Sequence, residues 1–150
     1  KSKGGGVLLD LSHEIDYMRY ILGDLSISYS INKKVSNLEI ETDDYLFICG
    51  ELNKGGMFNI ETSYFSKNNR RKVFIETPSI SIELDIINSQ MKIFEDNAEE
   101  IISETKYNLE DTYIDQHKAI LSGDFSKTCT LFEGLRTMEI ITEIQNKRDQ

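Results

Sequence analysis

At Gly23 the spacing of the apolar residues changes, and that change commits the chain to a mixed fold. Before it, Leu8, Leu11, Ile15, Met18 and Leu22 recur three and four residues apart, as along one face of an α-helix. After it, Leu25, Ile27, Tyr29 and Ile31 alternate with serines and Asn32, the period-two pattern of a half-buried strand. Asp10, His13, Tyr17 and Tyr20 keep the helical spacing on a neighbouring face, so a titratable row runs beside the apolar one. The Gly4–Gly6 run can bring backbone close to another surface, and Gly23 suits a left-handed helix stop. The spacing predicts a helix buried on one side that presents an acid and an imidazole on the other.

The segments that follow read mostly as strands. Tyr45–Leu52 is a nearly continuous apolar run, Asn53–Gly56 a hairpin turn, and Met57–Phe65 the returning strand. After a turn at 66–70 come strands at Arg71–Thr77, interrupted by Pro78, then Ser79–Ile87 and Met91–Phe94. Lys33–Asp43 is a polar connection, with Leu38–Thr42 a candidate for weak pairing, and Asp96–Lys106 is either a short strand near Glu100–Ser103 or a loop. Two helices close the chain. Asn108 caps the first, about Leu109–Leu121, which stops at Gly123. The second starts at the capping box Thr130-Leu-Phe-Glu133 and runs to about Asn146, with Leu131, Leu135, Met138 and Ile141 as its apolar stripe. The predicted class is α+β: a single, largely antiparallel sheet of about six strands with helices packed on one face.

Several strands carry apolar residues on both sides: Met57 and Phe65 oppose the Phe58–Tyr64 set, and Phe74 opposes Val73 and Ile75. The face left without helices is therefore expected to serve oligomerisation.

The run Gly4-Gly-Gly-x-Leu-x-Asp10-x-x-His13-x-x-Asp16, closed by Gly23, resembles the helix that opens the second domain of the Gfo/Idh/MocA oxidoreductases, the family of glucose–fructose oxidoreductase and inositol dehydrogenase. The His13–Asp16 run is closest to the inositol dehydrogenase form. The resemblance is strong over this helix and, by order of elements, looser over the remainder. It implies an NAD(P)-dependent enzyme acting on a sugar, polyol or nucleotide sugar, with the histidine of this helix at the substrate. It also implies that residues 1–150 are the C-terminal substrate-binding and oligomerisation domain alone, a fragment inactive by itself. NAD or NADP would be bound mainly by an N-terminal Rossmann domain that this sequence lacks, since no Gly-x-Gly-x-x-Gly lies between a strand and a helix. Two departures stand out. Leu9 occupies the place of the family's usual acid four residues before the histidine, the acid following at Asp10, and no Glu-Lys-Pro is present.

The residues themselves suggest the following roles. An imidazole neutral near pH 7 can take a proton from a sugar hydroxyl, so His13 is the first catalytic candidate, with Asp10 to orient it or bind a hydroxyl. A histidine that merely hydrogen-bonds a neighbour on a partly solvated helix is the alternative left open. Asp16, which follows the motif of the family this helix resembles, is a candidate for substrate binding or serves only to fix the helix, and Tyr17 is a candidate pocket wall with core packing as its alternative. The adjacent Arg70 and Arg71 could grip a carboxylate or phosphate, or simply occupy a solvated hairpin tip. The rival reading of the whole chain is a non-catalytic sugar-binding or assembly module that keeps the fold without the reaction.

Charge and composition narrow the partners. A net charge of −9 and a pI near 4.7 argue against nucleic-acid binding. No stretch is long and apolar enough for a membrane span, and a cytoplasmic protein forming a homodimer or a tetramer of dimers is expected. Cys49 and Cys129 form no Cys-x-x-Cys pair and are expected as free thiols, and two histidines without ligand spacing predict no metal site.

Overall fold

The computed structural model describes residues 5–95, 98–103, 108–126 and 128–147; Gly4, Asp96 and Lys106, which enter the sequence reading above, lie outside them. Two compact units are present: residues 1–66 with 129–150, and residues 67–128.

In the first unit the opening helical segment is divided. Helix α1 (Gly6–Asp10) gives way at Leu11 (φ −106, ψ 23) to α2 (Ser12–Leu22), although the Leu11 amide still reaches the Val7 carbonyl at 3.0 Å. The apolar stripe behaves as its spacing predicts. Leu8, Ile15 and Met18 are buried and Leu11 and Leu22 half-buried, while Asp10, His13 and Tyr20 stay exposed. Gly23 does end the helix, but at φ 95 and ψ −174, an extended positive-φ conformation that is essentially glycine's alone and not the left-handed helical one predicted.

Strands β1 (Leu25–Lys33), β2 (Tyr45–Leu52) and β3 (Met57–Ser63) form an antiparallel meander in that order. Its hairpin is the glycine turn expected at 53–56, with Gly55 and Gly56 both at positive φ. Leu25, Ile27, Leu46, Ile48, Phe58 and Ile60 project from one face. Against them pack Val7 and Leu8, Ile15 and Met18, and Ile140, Ile141 and Ile144 of α4 (Leu131–Lys147), a single core. Here the sequence reading of α4 requires correction. The buried row is Thr137, Ile140, Ile141 and Ile144, whereas Leu131, Leu135 and Met138 stand on its exposed side. Both rows satisfy helical periodicity, and the isoleucines at 140, 141 and 144 are the ones the sheet receives.

The Lys33–Asp43 connection forms no strand at Leu38–Thr42; it is tied down by two acids. Asp43 closes the start of α1: its carbonyl accepts from the Val7 amide at 3.0 Å and its carboxylate from the Leu8 amide at 3.0 Å. Gly6 (φ +77) passes so close that a Cβ there would lie 2.4 Å from that carboxylate, the close approach for which glycine is suited. Asp44, fully buried, receives the amides of Val35 (2.7 Å) and Ser36 (3.1 Å), the Lys34 ammonium (2.9 Å) and the Ser36 hydroxyl. Burial pushes its carboxyl up, but the hydrogen bonds from Ser36, Lys34 and Val35 outweigh this and hold it well below the usual carboxylate range. The folded chain therefore binds fewer protons at this site than the unfolded chain in acid. Stability from Asp44 is complete above the unfolded carboxyl value near ~4 and is lost as pH falls below it. Urea unfolding from pH 7 to pH 3 should show Asp44→Asn less stable at pH 7 and less sensitive to acid than the wild type. Parallel pH profiles would contradict this.

The second unit holds β4 (Lys72–Glu76), β5 (Ser81–Asp85), β6 (Gln90–Glu95) and β7 (Ala98–Ser103) as an antiparallel meander, followed by α3 (Leu109–Ser122). Seven strands in two hydrogen-bonded sheets are thus described, within the α+β class expected. The open segment around Glu100 is a strand. β5 ends at Asp85 and not at Ile87, because the Asp85 carboxylate accepts from the Asn88 amide (3.0 Å) and side chain (2.9 Å) and turns the chain. Helix α3 has the predicted boundaries, with Asn108 and Asp111 as a capping box and Gly123 in the left-handed conformation.

Candidate functional site

Helix α2 and the first turns of α4 enclose an open concavity of about 470 Å³. Ser12, His13 and Asp16 line it from α2. Leu131, Leu135 and Met138, the displaced apolar stripe of α4, line it opposite, with Cys129 and Thr137 between. His13 reaches it because its side chain follows the exposed row of α2, half open to solvent, with Nε2 3.2 Å from a Glu14 carboxylate oxygen. Asp16, one turn later, accepts from the Thr137 hydroxyl at 2.9 Å. Thr130 and Glu133 form the capping box expected at the start of α4, which fixes where the apolar wall begins.

Of the residues singled out by sequence, the structure brings together His13 and Asp16. Asp10 is turned to another partner: its carboxylate accepts from the Tyr64 hydroxyl of the segment after β3. Burial first, then that hydrogen bond and the negative charges of Asp10 and Asp43, push the Tyr64 phenol well above its ordinary value, so it remains a donor. Tyr17 is half-buried and does not line the concavity. Arg70 and Arg71 precede β4 in the second unit, Arg70 exposed and Arg71 half-buried.

Sequence reasoning missed Thr137, Arg19 and the apolar wall. A signal for the wall was available, since α4 carries two apolar rows and one helix face suffices for a core. Cys129, free like Cys49, has its thiol pushed up by burial and by the carboxylates of Asp16 and Glu133, which keeps it neutral and a poor nucleophile. No three His, Cys, Asp or Glu side chains converge as metal ligands among the described residues. Nor, among those residues, is any helix long and apolar enough to cross a membrane.

An imidazole and a carboxylate on one side of a cleft, facing an apolar wall, suit a ligand with hydroxyls on one edge and C–H groups on its face. The start of α1 does not suit a dinucleotide, because Asp43 already occupies its amides and crowds Gly6.

Comparison with known proteins gives the fold a family. The family model described as the C-terminal alpha/beta domain of an oxidoreductase family, Gfo/Idh/MocA, matches residues 1–150. No curated protein matches the chain by sequence. Among solved structures, UDP-N-acetylglucosamine 3-dehydrogenase GnnA from Acidithiobacillus ferrooxidans is similar with a TM-score of 0.71 and 16% identity, over 89% of this chain and 43% of its own. The WlbA dehydrogenase from Bordetella pertussis, in complex with NADH and UDP-GlcNAcA, gives 0.70 and 17%, over 97% and 46%. An oxidoreductase from Agrobacterium radiobacter, in complex with NAD+, L-tartaric acid and magnesium, gives 0.75 and 19%, over 93% and 45%. This chain therefore spans less than half the length of each of these structures, and the likeness to them is one of fold. With the C-terminal domain matched over all 150 residues, the chain belongs to the Gfo/Idh/MocA oxidoreductase family.

Proposed function

We propose that this chain is the substrate-binding and subunit-pairing domain of an NAD(P)-dependent oxidoreductase that moves hydride between nicotinamide and a sugar, polyol or nucleotide sugar. The observation that carries this reading is the pairing of His13 with Asp16 on a concavity with an apolar wall. With Asp43 occupying the start of α1, the part assigned to this chain is to bind the sugar and manage its proton. His13 accepts the proton of the reacting hydroxyl, and Asp16 accepts a hydrogen bond from a neighbouring one. The Leu131, Leu135 and Met138 side chains cover the sugar's C–H face and exclude water.

The test uses the protein expressed from its complete reading frame, assayed with a panel of sugars, polyols and UDP-sugars. His13→Ala is expected to lower turnover by about 100-fold or more with nicotinamide KM within about twofold. Unchanged turnover would retire the catalytic role. A second reading, a non-catalytic sugar-binding or assembly module, draws on Leu9 at the usual acid position and on the engagement of Asp10 by Tyr64. It predicts sugar binding without turnover.

Subunit pairing rests on the face of the β1–β3 sheet turned away from the core. Met57 is 78% exposed and Tyr29 55%, beside half-buried Ile31, Phe47 and a stacked Tyr45–Phe65 pair with ring centroids 6.3 Å apart. A large apolar surface of this kind is expected to be covered by a second copy, giving a dimer or a tetramer of dimers. Sedimentation as a monomer at about 50 μM, far above the Kd of a stable pair, would oppose it.

A further inference from the structure

Behind Asp16 stands an ordered chain of donors. The Arg19 side chain is only 11% exposed, and its Nη1 donates to Thr137 Oγ1 at 2.9 Å and to the Glu133 carbonyl at 3.0 Å. Its Nε and Nη2 donate to Asp24 Oδ1 at 3.3 and 3.2 Å. Thr137 Oγ1 in turn lies 2.9 Å from Asp16 Oδ1 and 3.3 Å from the Glu133 carbonyl. A hydroxyl has one proton to give. Glu133 is already served by Arg19, and the carboxylate is both nearer and charged, so the Thr137 proton goes to Asp16. Donation by Arg19 into the same oxygen polarises that hydroxyl and strengthens the bond. Asp16 Oδ1 is thereby held from α4, while Oδ2 makes no hydrogen bond within the described residues and the side chain is 39% exposed.

We propose that Arg19 and Thr137 are positioning residues that fix Asp16 Oδ1 from behind, so that Oδ2 accepts a hydroxyl of a polyhydroxylated ligand seated beside His13. The inference rests on reading the concavity as the sugar site. The Arg19–Glu133 bond already ties α2 to α4; the Thr137 proton goes instead to a carboxylate that is 39% exposed and lines the concavity, where a tie has no need of it.

Thr137→Val keeps the volume and loses the hydroxyl, Thr137→Ser keeps the hydroxyl, and Arg19→Lys keeps the charge but loses the planar fork. Each is made in the protein expressed from its complete reading frame and assayed with whichever member of the same panel it turns over. Thr137→Val and Arg19→Lys are expected to raise the sugar KM about tenfold, the weight of one charge-assisted hydrogen bond, with nicotinamide KM unchanged. Thr137→Ser should restore the wild-type value. A wild-type sugar KM in Thr137→Val, or a Thr137→Ser as impaired as Thr137→Val, overturns the assignment. Asp16→Asn separates the two layers. If it raises the sugar KM and Thr137→Val does not, only the positioning role fails. If it leaves the sugar KM unchanged, or if no panel member is turned over, the sugar-site reading fails and takes the positioning role with it.

Discussion

Replacing Gly50 with alanine is expected to lower stability by about 3 kcal/mol or more, at the upper end of overpacking costs. A Cβ at this position would lie 1.9 Å from the Ser26 carbonyl oxygen and 2.9 Å from the Ser28 amide nitrogen. Both are backbone atoms of the neighbouring strand, so no rotamer change relieves the contact. The cause lies in the pairing: Ile27 faces Gly50 and Tyr29 faces Cys49, which leaves Ser28 as an extra residue that bulges β1 onto Gly50. To admit a methyl group β1 must move, and with it Leu25 and Ile27, both buried in the core. For a domain of this size the midpoint of thermal unfolding should fall by roughly 10 °C. Gly134→Ala is the matched control. Its added Cβ meets nothing within 4 Å, and alanine favours a helix interior by up to about 1 kcal/mol, so its midpoint should rise. A Gly50→Ala midpoint equal to the wild type would show that the bulge is not as described.

Ile141→Ala is expected to cost about 2–5 kcal/mol, whereas Leu135→Ala should cost less than about 1 kcal/mol. Ile141 is 1% exposed and packed in the core formed with the β1–β3 sheet, so its truncation leaves a cavity. Leu135, from the same helix and of nearly the same size, is 50% exposed on the concavity. Its truncation mainly trims an open wall, and is expected to weaken ligand binding more than folding. Denaturant unfolding of the two variants compares the faces of α4 directly. Equal losses would mean that Leu135 belongs to the core, and the apolar wall opposite His13 would disappear with that result.

Much of the fold was legible because it is decided locally. The change of period at Gly23, the glycine hairpin at 53–56 and the caps at Asn108 and Thr130 each depend on residues within a few positions of one another. The same holds for the exposed row of α2 that carries His13, although Asp16, one turn on at the concavity, was not part of the row read as Asp10, His13, Tyr17 and Tyr20. The break at Leu11 and the early end of β5 were less visible. The second depends on one carboxylate turning back onto Asn88, a contact that competes with strand extension.

The sequence by itself determined most of the helices and strands, leaving the β7 segment open, and that the opening helix shows an acid and an imidazole beside an apolar stripe. Only the tertiary structure decided that α4 gives Ile140, Ile141 and Ile144 to the sheet and Leu131, Leu135 and Met138 to the cleft. It also decided that Asp10 answers to Tyr64 and Asp16 to Thr137. Periodicity expresses what a segment needs in order to be half-buried. Which half is buried, and which distant hydroxyl meets which carboxylate, depends on the shapes of surfaces more than a hundred residues apart along the chain, as with Asp16 and Thr137 (|i−j| = 121).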